Sequence, residues 1–271
     1  MAARGMTPSL SALGVAGAVL AAGLFAGAPA PAPASNPVRA APSSASSALP
    51  PRSAPAPSTP PPERPRRKYV VAALGDSLTD ARSHGGRYLT YLAARCPESR
   101  FDNYGVGGNM VNQMRRRFAR DVLGETGGER ASRPRYTHLI VFGGVNDLYS
   151  NLTAGRTNPR IEEDLDALYR QAHAHGMRVV AITVTPWGGF TRYFTADRSA
   201  STVALNRFIV ERAHAGAIEH AVDAYPLLSC GDPERLCPEL AKPFKDGLHF
   251  GPAGHEVLGR ALHEQVFSDC R

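Results

Sequence analysis

Four short segments of the sequence carry side chains that together could perform acyl transfer through a covalent intermediate. Ser77 offers a hydroxyl nucleophile, and His249 offers an imidazole that can take its proton near neutral pH. Asp246 precedes His249 by three positions, so one short turn could present both, with the carboxylate orienting the imidazole. The glycines at 105, 107 and 108 and Asn146 add groups that could donate hydrogen bonds to a developing oxyanion. These residue types point to a hydrolase with a serine nucleophile.

The elements that must position these segments alternate between strand and helix patterns from residue 69 onward. Short apolar runs predict five strands, and apolar positions three or four apart predict five helices. The predicted strands cover 69–74, 100–104, 138–142, 178–184 and 217–222. The predicted helices cover 86–95, 109–122, 159–174, 201–215 and 252–267. This alternation predicts a three-layer α/β/α fold with a doubly wound, five-stranded parallel sheet, like that of flavodoxin.

All four chemical segments follow predicted strands, which would gather them at one edge of the sheet. Open parallel sheets bind ligands at the carboxyl ends of their strands. Each segment alone also has a simpler explanation. A serine or asparagine after a strand is usually a cap or turn residue, a glycine there is usually a turn residue, and an Asp–His pair usually lies on the surface. Their shared edge is what favours an active site.

The four segments resemble the four conserved blocks of the SGNH, or GDSL-type, hydrolases. They read GDSL at 75–78, N-x-G-x-x-G at 103–108, G-x-N-D at 144–147 and D-x-x-H at 246–249. They occur in the order of that family and span nearly all of 69–271. The sequence contains no G-x-S-x-G at Ser77, which argues against the nucleophile elbow of the ordinary α/β-hydrolases.

The resemblance implies a role for each matching residue. Ser77 corresponds to the nucleophile, and Asp246 and His249 correspond to the pair that completes the catalytic triad. The oxyanion donors implied are the backbone N–H groups of Ser77 and Gly108 and the side-chain amide of Asn146. No metal ion and no organic cofactor is implied.

The segment after the fourth predicted strand is rich in aromatic residues. Trp187 and Phe190 are candidates for lining the substrate pocket, because aromatic faces suit both acyl groups and sugars. Packing over the core is an equally good explanation of these side chains.

The N-terminal quarter has a different composition from the rest of the chain. Residues 1–30 are predicted to be a signal peptide or an N-terminal membrane anchor, and 31–68 a disordered linker rich in Pro, Ala and Ser. The hydrolase domain is then 69–271, and we expect it to be secreted, periplasmic or on the cell surface. The net charge of +7 lies mostly before residue 69, since 69–271 carries 24 basic and 23 acidic residues. This near-neutral domain argues against nucleic-acid binding.

The four cysteines fit an oxidising compartment, although four cysteines allow three pairings. Cys230 and Cys237 would close a short loop. Cys96 and Cys270 would then pair, because in a 2-1-3-4-5 sheet the first and last helices cover one face and end at the same edge.

The sequence therefore predicts a monomeric serine ester hydrolase that acts on short acyl esters, such as acetyl groups of extracellular glycans. A lysophospholipase, lipase or thioesterase acting on lipids is the alternative enzyme. The alternative from another class is a non-catalytic module that binds carbohydrates or surfaces.

Overall fold

In this computed structural model, the structure describes residues 66–126, 129–130 and 133–271 of the 271-residue chain. The predicted signal peptide or anchor, and the linker up to residue 65, lie outside the described residues. Within the described part of the chain, no helix is long and apolar enough to cross a membrane.

The described chain forms nine strands, nine α-helices and one 3₁₀ turn at Ala81–Ser83. The strands are β1 (Val70–Gly75), β2 (Arg100–Gly105), β3 (Glu125–Thr126), β4 (Glu129–Arg130), β5 (His138–Phe142), β6 (Arg178–Ile182), β7 (His220–Val222), β8 (Ser229–Cys230) and β9 (Asp232–Leu236). The helices are α1 (Arg87–Arg95), α2 (Val111–Asp121), α3 (Val145–Tyr149), α4 (Asn151–Ala154), α5 (Asn158–Ala174), α6 (Ala196–His214), α7 (Ala224–Leu227), α8 (Pro238–Ala241) and α9 (Pro252–Gln265).

Five strands form one parallel sheet in the order β2-β1-β5-β6-β7, which confirms the predicted fold class. The register brings the ends of the strands to a common edge, since Gly75 is level with both Gly105 and Phe142. Ile182 is level in turn with Phe142 and Val222. The loops that leave these strands therefore start side by side, which is the geometry that a site at the carboxyl edge requires.

The sheet is covered on both faces because its central strands β1, β5 and β6 are apolar and buried at nearly every position. In β1, Ala72 and Leu74 join the core cluster under α2, α5 and α6, whereas Val71 and Ala73 join the cluster under α1 and α9. This alternation follows the two-residue period of a strand. Each fully buried large apolar side chain contributes about 1.5–3 kcal/mol relative to an exposed one, so both layers hold the sheet rigidly under the loops.

The structure adds elements that the periodicity did not predict, and it moves one domain boundary. The short helix α3 and the β8–β9 hairpin fall in segments predicted as loop. Helix α6 begins at Ala196, before the predicted residue 201, because the Thr195 hydroxyl caps it by accepting from Arg198 N–H. Arg67 pairs with the C-terminus, donating to Asp269 O at 2.8 Å. The predicted linker end at residue 68 is therefore slightly late.

Both predicted disulfides are present. Cys96 at the end of α1 bonds to Cys270 after α9, with Cα atoms 5.3 Å apart, and Cys230 bonds to Cys237 with Cα atoms 4.9 Å apart. The two bonds close loops of very different size, with sequence separations of 174 and 7 residues. Since the entropy removed from the unfolded chain grows with loop length, the Cys96–Cys270 bond should stabilise the fold more.

Replacing Cys96 and Cys270 together by serine is expected to lower the free energy of unfolding by about 5 kcal/mol, from loop-closure entropy. The matched variant Cys230→Ser with Cys237→Ser should lose only about 2 kcal/mol on the same basis. Urea denaturation of the two double variants measures the difference. Equal losses would show that loop entropy does not set the contribution of these bonds.

Candidate active site

Ser77, His249 and Asp246 form a continuous hydrogen-bonded chain at the carboxyl edge of the sheet. Ser77 Oγ lies 2.8 Å from His249 Nε2, and His249 Nδ1 lies 2.6 Å from Asp246 Oδ2. Because the carboxylate accepts from Nδ1, the Nε2 atom is left to accept from the Ser77 hydroxyl. The arrangement can take the proton from Ser77 as its oxygen attacks an electrophile.

A tight turn presents Asp246 and His249 together. Asp246 Oδ1 accepts the backbone N–H groups of Leu248 and His249, both at 2.9 Å. Gly247 occupies the left-handed region with φ +74°, which a residue with a side chain would rarely adopt. Burial alone would raise the pKa of Asp246, but these hydrogen bonds and that of the His249 ring hold it below its ordinary value. Asp246 therefore stays ionised and able to support an imidazolium.

Ser77 lies in a tight turn that directly follows β1. The Asp76 carbonyl accepts from the N–H groups of Thr79 and Asp80, at 3.1 and 2.8 Å. A Cβ at Gly75 would lie 2.8 Å from the Phe142 carbonyl oxygen, so no larger residue fits before the turn. This close packing fixes the backbone that carries the Ser77 hydroxyl.

The glycine-rich segment after β2 lies against the nucleophile. A Cβ at Gly107 would be 3.9 Å from Ser77 Cβ, and the Gly107 N–H donates to Asp80 Oδ2 at 3.0 Å. Gly108 has φ +75°, and a Cβ built there meets nothing within 4 Å. A side chain at Gly108 would therefore point into open space, next to the residue that contacts Ser77. The buried Arg117 ties this segment to β1, donating to Asn109 Oδ1 at 2.7 Å and to Gly75 O at 2.8 Å.

Asn146, in the first turn of α3, joins the same edge. Its Nδ2 donates to Asp76 Oδ2 and to Asn109 O, both at 3.1 Å. The Asn146 amide therefore contacts the chain neighbours of Ser77 and Gly108, and both of its hydrogens have protein acceptors here. The sequence analysis did not identify Asp76 as part of this site. Its complete burial raises its pKa to about 7, against a hydrogen bond from Leu78 N–H and the nearby His249.

The sequence profile of the GDSL-like lipase/acylhydrolase family matches residues 73–257, which is more than half of the chain and includes every segment described above. The chain belongs to this family. Membership makes the protein a hydrolase, and it confirms the resemblance on which the sequence analysis relied. No protein of curated function has a significantly similar sequence.

Several solved structures share this fold at low sequence identity. A GDSL-like lipase from Bacteroides thetaiotaomicron is 20% identical with a TM-score of 0.59, covering 74% of this chain and 88% of its own. A lipase/acylhydrolase from Enterococcus faecalis is 19% identical with a TM-score of 0.58, covering 75% and 97%. A catalytic mutant of an acetylxylan esterase from Geobacillus stearothermophilus is 19% identical with a TM-score of 0.56, covering 75% and 96%. At these identities the likeness establishes the α/β architecture and leaves the substrate open.

A buried network of ion pairs contacts the G-x-N-D segment at 144–147. Arg156 donates from Nε to Asp147 Oδ1 at 2.7 Å and from Nη2 to Asp164 Oδ2 at 2.8 Å. Asp147, next to Asn146, also accepts the N–H of Val111 at 2.9 Å, at the start of α2. This arrangement links the Asn146 segment to the segment that follows Gly108. Nothing in the sequence pattern singles out Arg156, because its partners are brought together by the fold.

Replacing Arg156 by methionine is expected to lower the free energy of unfolding by about 3–5 kcal/mol, because it leaves a buried carboxylate without its counter-charge. The side chains of Arg156 and Asp147 are 7% and 0% exposed. Arg115→Met is the matched control, since Arg115 contacts Asp164 from a position 37% exposed. An exposed pair contributes about 0–1 kcal/mol. Urea denaturation measures the free energy of unfolding of both variants. Equal losses in the two variants would contradict this expectation.

Trp187 does not line a substrate pocket, so that prediction is wrong. Its side chain is fully buried, its Nε1 donates to Thr202 Oγ1 at 3.0 Å, and its ring packs edge-on against Phe194 at 4.8 Å. The buried hydroxyl on α6 gives the indole N–H a partner inside the core, which is what a buried tryptophan requires. Trp187 therefore anchors the loop after β6 to the core.

Phe190, the other candidate, is half-buried in an aromatic cluster with Tyr149 and Tyr193. Its ring centroid lies 6.1 Å from that of Tyr149 and 4.9 Å from that of Tyr193. Burial raises the pKa of Tyr149, and the charge of Asp76 adds to that shift. The role of Phe190 in lining the substrate pocket stays a prediction.

A second group of rings approaches His249 directly, and the sequence analysis missed it. The Phe244 ring lies 6.0 Å from that of His249 and 6.2 Å from that of His84. His84 has φ +63°, the one non-glycine residue with positive φ in the described part of the chain. Such a conformation is uncommon outside glycine, and it turns the segment after the 3₁₀ helix back toward Ser77.

Proposed function

We propose that this hydrolase cleaves carboxylic esters through an acyl-enzyme on Ser77, with His249 as base and Asp246 as the residue that orients it. The observation that carries the proposal is the unbroken chain from Ser77 Oγ to His249 Nε2 at 2.8 Å and from His249 Nδ1 to Asp246 Oδ2 at 2.6 Å. Hydrogen-bond reach between nucleophile, base and orienting group is the geometric requirement for this chemistry.

The reaction follows from these contacts. His249 Nε2 takes the Ser77 proton as Oγ attacks the ester carbonyl, and the imidazolium then protonates the departing alcohol oxygen. Water, deprotonated by the same nitrogen, then attacks the acyl carbon. The bond to Ser77 Oγ breaks, the imidazolium returns its proton to Oγ, and the acid is released. The N–H groups of Ser77 and Gly108 and the amide of Asn146 would stabilise the negative oxygen in both steps. For Asn146 this requires that a hydrogen now directed at Asp76 or Asn109 O turn toward the oxyanion.

Short acyl esters on bulky alcohols, such as acetyl groups of extracellular glycans, are the substrates that the site suits best. The side chains of His249 and Asp246 are 25% and 39% exposed, so an ester on a polymer can reach them. Nearby rings, including Phe190 and Phe244, could pack against sugar faces. An acetylxylan esterase among the structures with the same fold supports this substrate class. Two disulfides are compatible with an exported enzyme.

The experiment is to treat the full chain with a fluorophosphonate probe, locate the modified peptide, and measure hydrolysis of p-nitrophenyl esters from acetate to palmitate. We expect the label on Ser77 and the highest kcat/KM for acetate. An optimum at long chains would overturn the glycan ester and favour a lipase or lysophospholipase. The absence of both labelling and hydrolysis of any ester would overturn the esterase proposal and favour a binding module.

A further inference from the structure

A small hairpin lies beside the loop that follows β6. Strands β8 and β9 pair through Ser229 with Leu236 and Cys230 with Asp232, and the Cys230–Cys237 bond closes their open end. Cys237 N–H donates to Leu228 O at 2.8 Å, which fixes the base of the hairpin. An isolated two-stranded hairpin is marginally stable in water. The disulfide therefore adds a covalent constraint to a hairpin that is weak by itself.

The hairpin contacts the loop after β6 through Glu234. The Glu234 carbonyl accepts the Gly188 N–H at 2.7 Å, and the Glu234 carboxylate accepts from the Ser199 hydroxyl at the start of α6. A Cβ at Gly188 would lie 2.8 Å from the same carbonyl oxygen. The two backbones therefore touch, and a side chain at residue 188 would push them apart.

The next residue of the loop contacts the turn that carries Asp246 and His249. A Cβ at Gly189 would lie 2.7 Å from Gly247 Cα, and a Cβ at Gly247 would lie 2.0 Å from Gly189 C. Gly247 is the left-handed residue of that turn. Residues 188–189 are therefore clamped between the hairpin on one side and the turn on the other, with backbone contacts at both interfaces.

We propose that the disulfide-closed β8–β9 hairpin is a brace that positions the Asp246–His249 turn through Gly188 and Gly189. Glu234, Gly188 and Gly189 then act as positioning residues, because they reach the reacting atoms only through His249 and Asp246. The inference rests on the proposed function of that pair. If the brace yields, His249 Nε2 moves away from Ser77 Oγ, and displacements of about 1 Å at a reacting group cost about 100-fold in rate.

The test compares two double variants of the full chain, Cys230→Ser with Cys237→Ser and Cys96→Ser with Cys270→Ser, using p-nitrophenyl acetate. Removing the hairpin bond should lower kcat about 10- to 100-fold with KM within about twofold, because transition-state geometry is lost while substrate binding is retained. The Cys96–Cys270 variant is the matched control. It should lower the melting temperature more, while kcat per folded molecule stays unchanged.

Gly188→Ala provides a second test with both disulfides intact, in case the serine variant does not fold. We expect the same loss of kcat, because the added methyl group displaces Glu234 O. Unchanged kcat in Gly188→Ala, or equal kcat losses in the two disulfide variants, would overturn the brace. Hydrolysis that persists in Ser77→Ala would instead overturn the proposed function, so the two failures are distinguishable.

Discussion

Replacing Ser77 by alanine is expected to lower kcat for p-nitrophenyl acetate by about 10⁴- to 10⁶-fold. In the proposed mechanism this hydroxyl forms the acyl bond, and no other hydroxyl in the described part of the chain is within hydrogen-bond distance of His249 Nε2. His249→Ala should be about equally damaging, since an alcohol without a base is a weak nucleophile. Steady-state and burst kinetics on folded, purified variants measure both losses.

The double variant Ser77→Ala with His249→Ala should be no slower than either single one, because the two groups act as a unit. Ser99→Ala is the matched control. Its hydroxyl accepts from Tyr69 N–H and donates to Arg271 O, and Ser99 precedes β2 at the edge of the sheet opposite the site. Losses that multiply in the double variant would mean that Ser77 and His249 contribute through separate routes, which is incompatible with the 2.8 Å contact acting as a proton-transfer pair.

The sequence was sufficient to predict the sheet and the segments at its edge, for a physical reason. Buried parallel strands require continuous apolar runs, and the turns that follow them require glycine and short polar residues, so both leave local signals. His138–Phe142 was predicted to the residue. The catalytic segments could be placed on one edge because strand order decides which loops are neighbours.

What the sequence could not supply depends on partners distant along the chain. Trp187 is of a residue type that is common in pockets. Only its hydrogen bond to the buried Thr202 hydroxyl shows that it belongs to the core. Arg156 reads as an ordinary surface cation until the fold places Asp147 and Asp164 around it. Asp76 was visible as part of the GDSL block, but its contact with Asn146 spans 70 positions. Local patterns carry no information on such contacts.

Replacing Asn146 by alanine is expected to lower kcat by about 10²- to 10³-fold, equivalent to about 3–4 kcal/mol of transition-state stabilisation. KM should stay nearly unchanged, because the oxyanion contact forms only as negative charge develops. Asn206→Ala is the matched control, since Asn206 is also a buried amide but spends its hydrogen bonds on Val184 N–H and Val184 O. That variant should lose stability while its kcat is retained.

The result also decides what the contact between Asn146 and Asp76 is for. Both hydrogens of the Asn146 amide have acceptors in this structure, at 3.1 Å each. If kcat falls as expected, one of those bonds is exchanged for the oxyanion during the reaction. Burial raises the pKa of Asp76 to about 7, and protonation of its carboxyl would make it a weaker acceptor that adds no negative charge beside the oxyanion. If instead Asn146→Ala lowers the stability but not kcat, the amide has only a structural role, linking the turn that carries Ser77 to the glycine-rich segment. The backbone N–H groups of Ser77 and Gly108 would then carry the oxyanion alone.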